Sequence, residues 1–206
     1  MIEFKINNNR KVLAPNKWTE LNTEQLLAIE KTEKTDVLGL FAVLTGLDLD
    51  IVFNARNKQL EESLFAVVAF IYSPPEWDKL KHGTHLQYKN KIYKVPVEFN
   101  KMMLGQKILI SQLARDLEKM MENVCQVVAI CMQPTIDNSE KYSEKRVDEI
   151  AKELLKENGL EVYALAKFFF RNLGGSSHTG KNNFRTFQQQ KVRKGKSYQN
   201  WLNLTD

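Results

Sequence analysis

Ten residues near the C-terminal end, GGSSHTGKNN from Gly174 to Asn183, contain Gly-x-x-x-x-Gly-Lys between Gly175 and Lys181. That is most of a P-loop. In such a loop backbone amides cradle phosphates, the Lys reaches the outer phosphates, and a Ser or Thr after it ligates magnesium. Here Asn182 follows the Lys, a poorer ligand for a hard cation that demands near-ideal oxygen geometry. The chemistry also needs a buried strand before the loop and a helix after it, so that helix N-terminus and loop amides meet the phosphates. Upstream, EVYALAKFFFRNL reads as helix; downstream, NNFRTFQQQKVRKGKSYQNWLNLTD is too short to build a parallel sheet. The stretch therefore reads as a helix stop at Gly174 and Gly175, then a flexible polar linker. No nucleotide cofactor is expected.

The other reactive residue types are sparse. His82 and His85 in KHGTH have a spacing seen in metal sites, but no Cys, Asp or third His stands beside them to complete a shell. They read as a loop before a strand, and His178 as part of the linker. Cys125 and Cys131 lie six apart in one helical pattern, MENVCQVVAICM, and point to different faces. They read as buried thiols in a reducing compartment. Glu118, Glu122, Glu149 and Glu153 alternate with Lys and Arg, as solvated helix faces do. No Ser-His-Asp set and no Cys beside a base occurs. Expected are no enzyme activity, no metal and no cofactor.

Charge is placed unevenly. The chain has 206 residues and a formal net charge of +5. From Lys181 onward there are six basic residues and one acid, Asp206, which accounts for all of that charge. Residues 1–173 are balanced, so a neutral body carries a basic arm. No apolar signal-peptide region is visible, and the longest apolar run, LFAVVAFIY, is too short to span a bilayer. A soluble protein of the cytosol is expected.

The elements that build the body can be read in order. IEFKI, NNNR and KVLAP form a hairpin over about 2–14, its Asn cluster suited to a tight turn. THLQYKNKIYKVP forms a second over about 84–96, with Lys89-Asn90-Lys91 as the turn. An isolated hairpin is marginal in water, so the two are expected to share one small antiparallel sheet. The rest is helical. Asn22 opens a capping box with Gln25. DVLGLFAVLTGL ends near Gly46, and a helix carrying Leu60, Leu64, Val67, Val68 and Ile71 on one face runs to Pro74-Pro75. The longest pattern has Leu109, Leu113, Leu117, Met120, Met121, Val124 and Val128 in register, with a break near Glu122-Asn123 and its end at Pro134. Ser143 caps the next helix, Gly159 stops it, and a last helix covers about Leu160 to Leu173. Met102-Met103 and Met120-Met121 read as core, since their spacing marks a buried face. The fold class is α+β, mostly α: a helical bundle with a small antiparallel sheet built from two hairpins, over residues 1–173, followed by the arm at 174–206.

Two places suggest partners. Phe168-Phe169-Phe170 cannot all face one core from a single helix, so at least one ring should meet another element or another subunit. In the arm, Tyr198, Trp201, Leu202 and Leu204 can share a face in a short helix and anchor in a partner's groove. Upstream of them Lys191, Arg193, Lys194 and Lys196 could contact phosphate, giving weak and salt-dependent nucleic-acid binding as the alternative use of the arm.

The order of elements resembles a group of tailed-bacteriophage virion and tail-morphogenesis proteins. The opening VLAPNKWTELNTEQLLAI is similar to that group's hairpin followed by a Pro-x-x-Trp-x-Glu-Leu segment and a helix. FNKMMLGQKILISQLARDLEKMMENVCQVVAICMQPTI resembles its Leu-Gly-Gln segment and following helix, although Ala129-Ile130-Cys131-Met132-Gln133-Pro134 lacks the Tyr-Arg pair found there. KYSEKRVDEIAKEL and YALAKFFFRNL are similar to its final helices. The resemblance covers most of residues 1–173. It implies a non-enzymatic structural or tail-assembly-chaperone-like protein, with other phage structural or assembly proteins, or further copies of itself, as partners. It further implies a location in the host cytoplasm during assembly or in the virion.

Overall fold

The computed structural model describes residues 1–6, 10–54, 58–76, 80–99, 102–113, 122–139 and 141–173. Two strands, β1 (Ile2–Ile6) and β2 (Arg10–Ala14), pair antiparallel with Phe4 opposite Val12. Helices α1 (Thr23–Lys31), α2 (Val37–Thr45), α3 (Leu49–Phe53) and α4 (Lys58–Val68) follow. Strands β3 (His85–Tyr88) and β4 (Lys91–Lys94) form the second hairpin. Then come α5 (Leu104–Leu113), α6 (Val124–Asp137), α7 (Glu144–Leu154) and α8 (Gly159–Leu173). This is the mostly α, α+β architecture expected.

Local signals explain most of the boundaries. Asn22 accepts from the Gln25 backbone N–H at 2.8 Å while the Gln25 side chain accepts from the Asn22 N–H at 3.2 Å, a complete capping box. Asp36 caps α2 through the Gly39 N–H, and Gly46 ends it at a φ of 66°. Ser143 caps α7 through the Arg146 N–H. The second hairpin turns on two residues only, Lys89 at φ 50° and Asn90 at φ 60°, so Lys91 belongs to β4. Both central residues are left-handed, as a two-residue turn matching the strand twist requires.

Three expectations are corrected. The hairpins do not share a sheet: each is a separate two-stranded ribbon. Helices supply the cover that a shared sheet would have given, with α4 and α2 against the first hairpin and α6 against the second. Gly159 does not stop α7 but opens α8. Its role is close approach: a Cβ there would lie 2.8 Å from the Asn22 carbonyl oxygen. That contact belongs to a seam in which Gly159 N–H donates to Leu21, Thr23 N–H to Glu157 and Glu24 N–H to Leu155. The start of α1 is thereby sewn to the α7–α8 connection.

Pro134 is the third. It lies inside α6, which continues to Asp137 and is capped by Asn138 in the left-handed region. A proline in a helix removes one backbone donor and crowds the carbonyl four residues before it. That carbonyl, on Ile130, instead accepts from the buried Gln106 side chain of α5 at 3.0 Å. Gln133 next door is also buried, donating to the Lys141 carbonyl at 2.9 Å. A side-chain amide from a neighbouring helix thus replaces the donor that proline lacks, and the helix survives.

One apolar core runs through the body, centred on α6 and α8 with α2, α7 and both hairpins around it. Among the described residues, every buried side-chain nitrogen or oxygen has a hydrogen-bond partner. No helix among them is long and apolar enough to cross a membrane.

Candidate docking surface

The two places expected to meet partners fare differently. Tyr198, Trp201, Leu202 and Leu204, and the basic residues Lys191, Arg193, Lys194 and Lys196, lie outside the described residues, as do the Gly175–Lys181 motif and Met120, Met121 and Glu118. Phe168, Phe169 and Phe170 are described, and the chain uses all three internally. Phe169 and Phe170 are buried. Phe168 is covered by His82, with ring centroids 3.8 Å apart, and by Phe99 at 5.4 Å. The three rings point in three directions, as one helix demands, but hairpin-flanking loops and the core receive them. They are not a free interface.

The reactive residues are fastened in the same way. Burial pushes the Cys125 thiol up to about 12 and the Cys131 thiol well above its ordinary value, so both stay protonated at neutral pH. Neither is disulfide-bonded. No group of three His, Cys, Asp or Glu side chains among the described residues is arranged to hold a metal. The richest polar cluster ties the second hairpin to α7 and α8. Tyr88 O–H and the Lys89 ammonium both reach Glu153, and the Lys89 backbone N–H donates to Glu157 at 3.0 Å. The Gln87 backbone N–H donates to Glu161. Glu161 thus takes a backbone donor on the exposed edge of β3, while Glu157 takes one from the turn and Glu153 gathers two side chains. Nearby, Arg146 pairs with Asp137 at 3.0 Å and Glu149 at 3.2 Å. This is fastening of the second hairpin to α7 and α8.

The body also leaves apolar side chains uncovered. The outward side of α5 carries Leu104, Gly105, Ile108 and Gln112, at the spacing that places side chains one above another on a helix. Leu104 is 73% exposed and Ile108 is 48% exposed, and the partly exposed Met103 stands just before them. Among these four positions none is charged; the helix's one ion, Lys107, borders the stripe at i+3 from Leu104. The inward side explains how α5 is held. Ile110 is fully buried, Leu109 and Leu113 pack against the core, and Gln106 grips the Ile130 carbonyl while accepting from the Met103 N–H. A rigid helix with one polar anchor thus presents a second apolar side outward.

Gly105 sharpens the description. It sits in the first turn of α5 with an ordinary helical backbone, and a methyl group there would touch nothing among the described residues. Glycine in a helix interior costs about 1 kcal/mol relative to alanine.

A second exposed set, Leu49, Ile51 and Phe53 on α3 and Phe65 on α4, flanks α2. Asp48 and Asp50 interrupt it, so it is a broken patch rather than a stripe. The α5 face was readable in principle. LGQKILISQL is apolar on more than one side, which marks a helix that is either enclosed or bound. The in-register leucines, Leu109 and Leu113, mark only the inner face. No family model matches this chain, and no curated protein or solved structure matches it.

Proposed function

We propose that this chain is a non-enzymatic structural or assembly protein of a tailed bacteriophage that works by binding neighbouring virion or tail subunits. The observation that carries the reading is the outer face of α5, built from the exposed Leu104 and Ile108 around Gly105, on a body whose buried polar side chains, among the described residues, are all hydrogen-bonded. Apolar faces left on a stable body mark interaction sites, and a helix stripe fits a partner's groove or helix. The order of elements supports the phage assignment. The arm at 174–206 adds a second contact through Tyr198, Trp201, Leu202 and Leu204.

The test replaces Leu104→Lys and Ile108→Lys together in the full chain and follows it in infected cells. The unaltered protein should co-sediment with particles or their assembly intermediates, identified by their structural proteins. The double variant should stay folded and remain in the unassembled fraction. Equal entry of the variant into particles would refute the assignment of this face. Its presence in finished particles separates a structural subunit from a transient chaperone.

A second reading has one observation in its favour, the concentration of all net charge in the arm. Nucleic-acid binding through Lys191, Arg193, Lys194 and Lys196 would weaken steeply with salt, because each phosphate contact releases counterions. Fluorescence anisotropy on single- and double-stranded DNA at two salt concentrations distinguishes it. Tight binding that survives Leu104→Lys/Ile108→Lys favours that alternative.

A further inference from the structure

We propose that the outward face of the second hairpin, His85 and Gln87 on β3 with Ile92 and Lys94 on β4, is a binding surface for duplex DNA. This face is separate from α5 and from the arm, and it needs neither of them to act.

Register and burial define the face. His85 stands opposite Lys94, and Gln87 opposite Ile92. Side chains alternate along a strand, so these four share one side of the ribbon. All four are exposed, Ile92 to 74%. The other side turns Leu86, Tyr88 and Tyr93 to the core. The Val95 N–H donates to the Thr84 carbonyl at 2.9 Å and extends the ribbon by one rung. At its tip the last pair before the turn, Tyr88 with Lys91, leaves Lys91 exposed. At its base the exposed Lys81 precedes His85 by four residues, at most about 14 Å away.

Charge selects the occupant. From Leu80 to Val97 the chain has four lysines, two histidines and no acid. Lys89 is tied to Glu153, whereas Lys81, Lys91 and Lys94 have no ion-pair partner among the described residues. The first hairpin is also a lone two-stranded ribbon, yet there the outward Lys11 meets Glu3 at 2.8 Å. Lysines on an edge strand discourage pairing with other chains, but that role does not require every acid to be absent. Protein interfaces are depleted in lysine and anchored by aromatics, and this face has Ile92 as its single apolar side chain. Duplex DNA fits it better. The major groove, about 12 Å wide, admits a two-stranded ribbon and offers base edges to the Gln87 amide and Lys94 ammonium and thymine methyls to Ile92. Lys81 and Lys91 flank these as phosphate contacts. The face has no aromatic ring on which unpaired bases would stack, which favours a duplex over a single strand. Glu157 at the turn and Glu161 on the β3 edge repel phosphate, so the nearer backbone runs along β4.

The experiment uses the full-length chain with the basic residues of the arm, Lys181, Arg185, Lys191, Arg193, Lys194 and Lys196, all changed to Gln, so that the arm supplies no phosphate contact. Fluorescence anisotropy follows a labelled duplex of about 20 base pairs, long enough to present two turns of groove. Binding should persist and weaken about 40-fold between about 50 and 200 mM salt, as release of counterions from roughly three phosphates requires. Adding Lys81→Gln, Lys91→Gln and Lys94→Gln should lower the affinity at least tenfold at low salt and flatten the salt dependence. Adding Lys11→Gln, Lys17→Gln and Lys34→Gln instead removes the same charge elsewhere and should change the affinity less than twofold. Absence of binding at the lower salt, equal losses in the two triple variants, or tighter binding to a single strand of the same length would each overturn the proposal. Displacement of the duplex by poly-glutamate at equal charge would overturn it too, by giving the face to an acidic protein. Particle entry of Leu104→Lys/Ile108→Lys is read independently, so this face and that of α5 stand or fall separately.

Discussion

Helices α8 and α5 are written in much the same alphabet, and the body treats them in opposite ways. Along α8, Val162, Tyr163, Leu165, Phe169 and Phe170 are buried on several sides, because α6, α1 and α5 surround it. α5 meets α6 and α8 along one side and leaves Leu104 and Ile108 in the open. Apolar content thus says how much surface a helix needs covered. What covers it is decided by neighbours that are distant in sequence. The triple phenylalanine packs on the chain's own elements, whereas Leu104 and Ile108 stand in the open.

The sharpest way to break the contrast is to truncate both sides. Phe169→Ala should cost about 3–5 kcal/mol, the usual loss when a buried aromatic leaves a cavity. Leu104→Ala with Ile108→Ala should cost no more than about 1 kcal/mol together, as exposed positions do. Urea unfolding of the full chain reads both. A double α5 variant as damaging as Phe169→Ala would mean that the body itself covers that face, and the distinction would fail.

The beginning of α8 offers the next test. Gly159→Ala places a methyl 2.8 Å from the Asn22 carbonyl oxygen and 3.1 Å from the Leu26 Cβ, where backbone has to move. Overpacking of this kind costs about 1–3 kcal/mol, occasionally more. Because the seam joins α1 to α8, amide exchange should speed up at residues 21–24 and 155–159 together. By contrast Gly105→Ala, on the open side of α5, should be neutral or stabilise by up to about 1 kcal/mol.

The polar anchor of α5 gives a smaller and more diagnostic effect. Gln106→Leu should cost about 1–3 kcal/mol, since the buried Ile130 carbonyl loses its partner. Pro134→Ala restores a backbone N–H to that carbonyl. In the Gln106→Leu background it should recover at least about 1 kcal/mol, while alone it should change stability little. If the double variant is merely the sum of the singles, Gln106 is not standing in for the missing donor.

This pair also marks where sequence reasoning succeeds and where it stops. Signals carried by consecutive residues were legible: the Asn22 capping box, Gly46, the Ser143 cap and both hairpins lie where local chemistry puts them. The reading of Pro134 as a helix end failed because its compensating donor sits 28 residues earlier, on another helix. Gly159 was misread for a similar reason, its constraint being the carbonyl of Asn22. At the site, the leucine pattern of α5 marks only its inner face, and the expectation that one phenylalanine ring meets another element or another subunit leaves open which, whereas Phe168 packs on His82 and Phe99. Each miss involves a partner supplied by tertiary structure, which periodicity does not encode.

The smallest effect concerns charge at the covered helix. Glu161 of α8 is partly buried, and that burial, with Glu157 nearby, raises its carboxyl above the ordinary glutamate range despite the Gln87 N–H it accepts. Glu153 of α7 is lowered, chiefly by Lys89 and then by Tyr88. A raised carboxyl contributes stability that is complete below its unfolded value, about 4.5, and is lost as pH rises through the folded value. A lowered one contributes stability that is present above that value and is lost as pH falls through the folded value. At pH 7, then, Glu161→Gln should raise Tm and Glu153→Gln should lower it, each by about 2 °C or less. The Glu161 difference should close as the pH falls below about 4.5, where that carboxyl is protonated in folded and unfolded chains, and the Glu153 difference only at lower pH, as the pH falls through its lowered folded value. Thermal unfolding of the three proteins at several pH values reads the result. Shifts of the same sign would show that Glu161 is held as an ion by its hydrogen bond, and that the enclosed helix tolerates charge as readily as the open one.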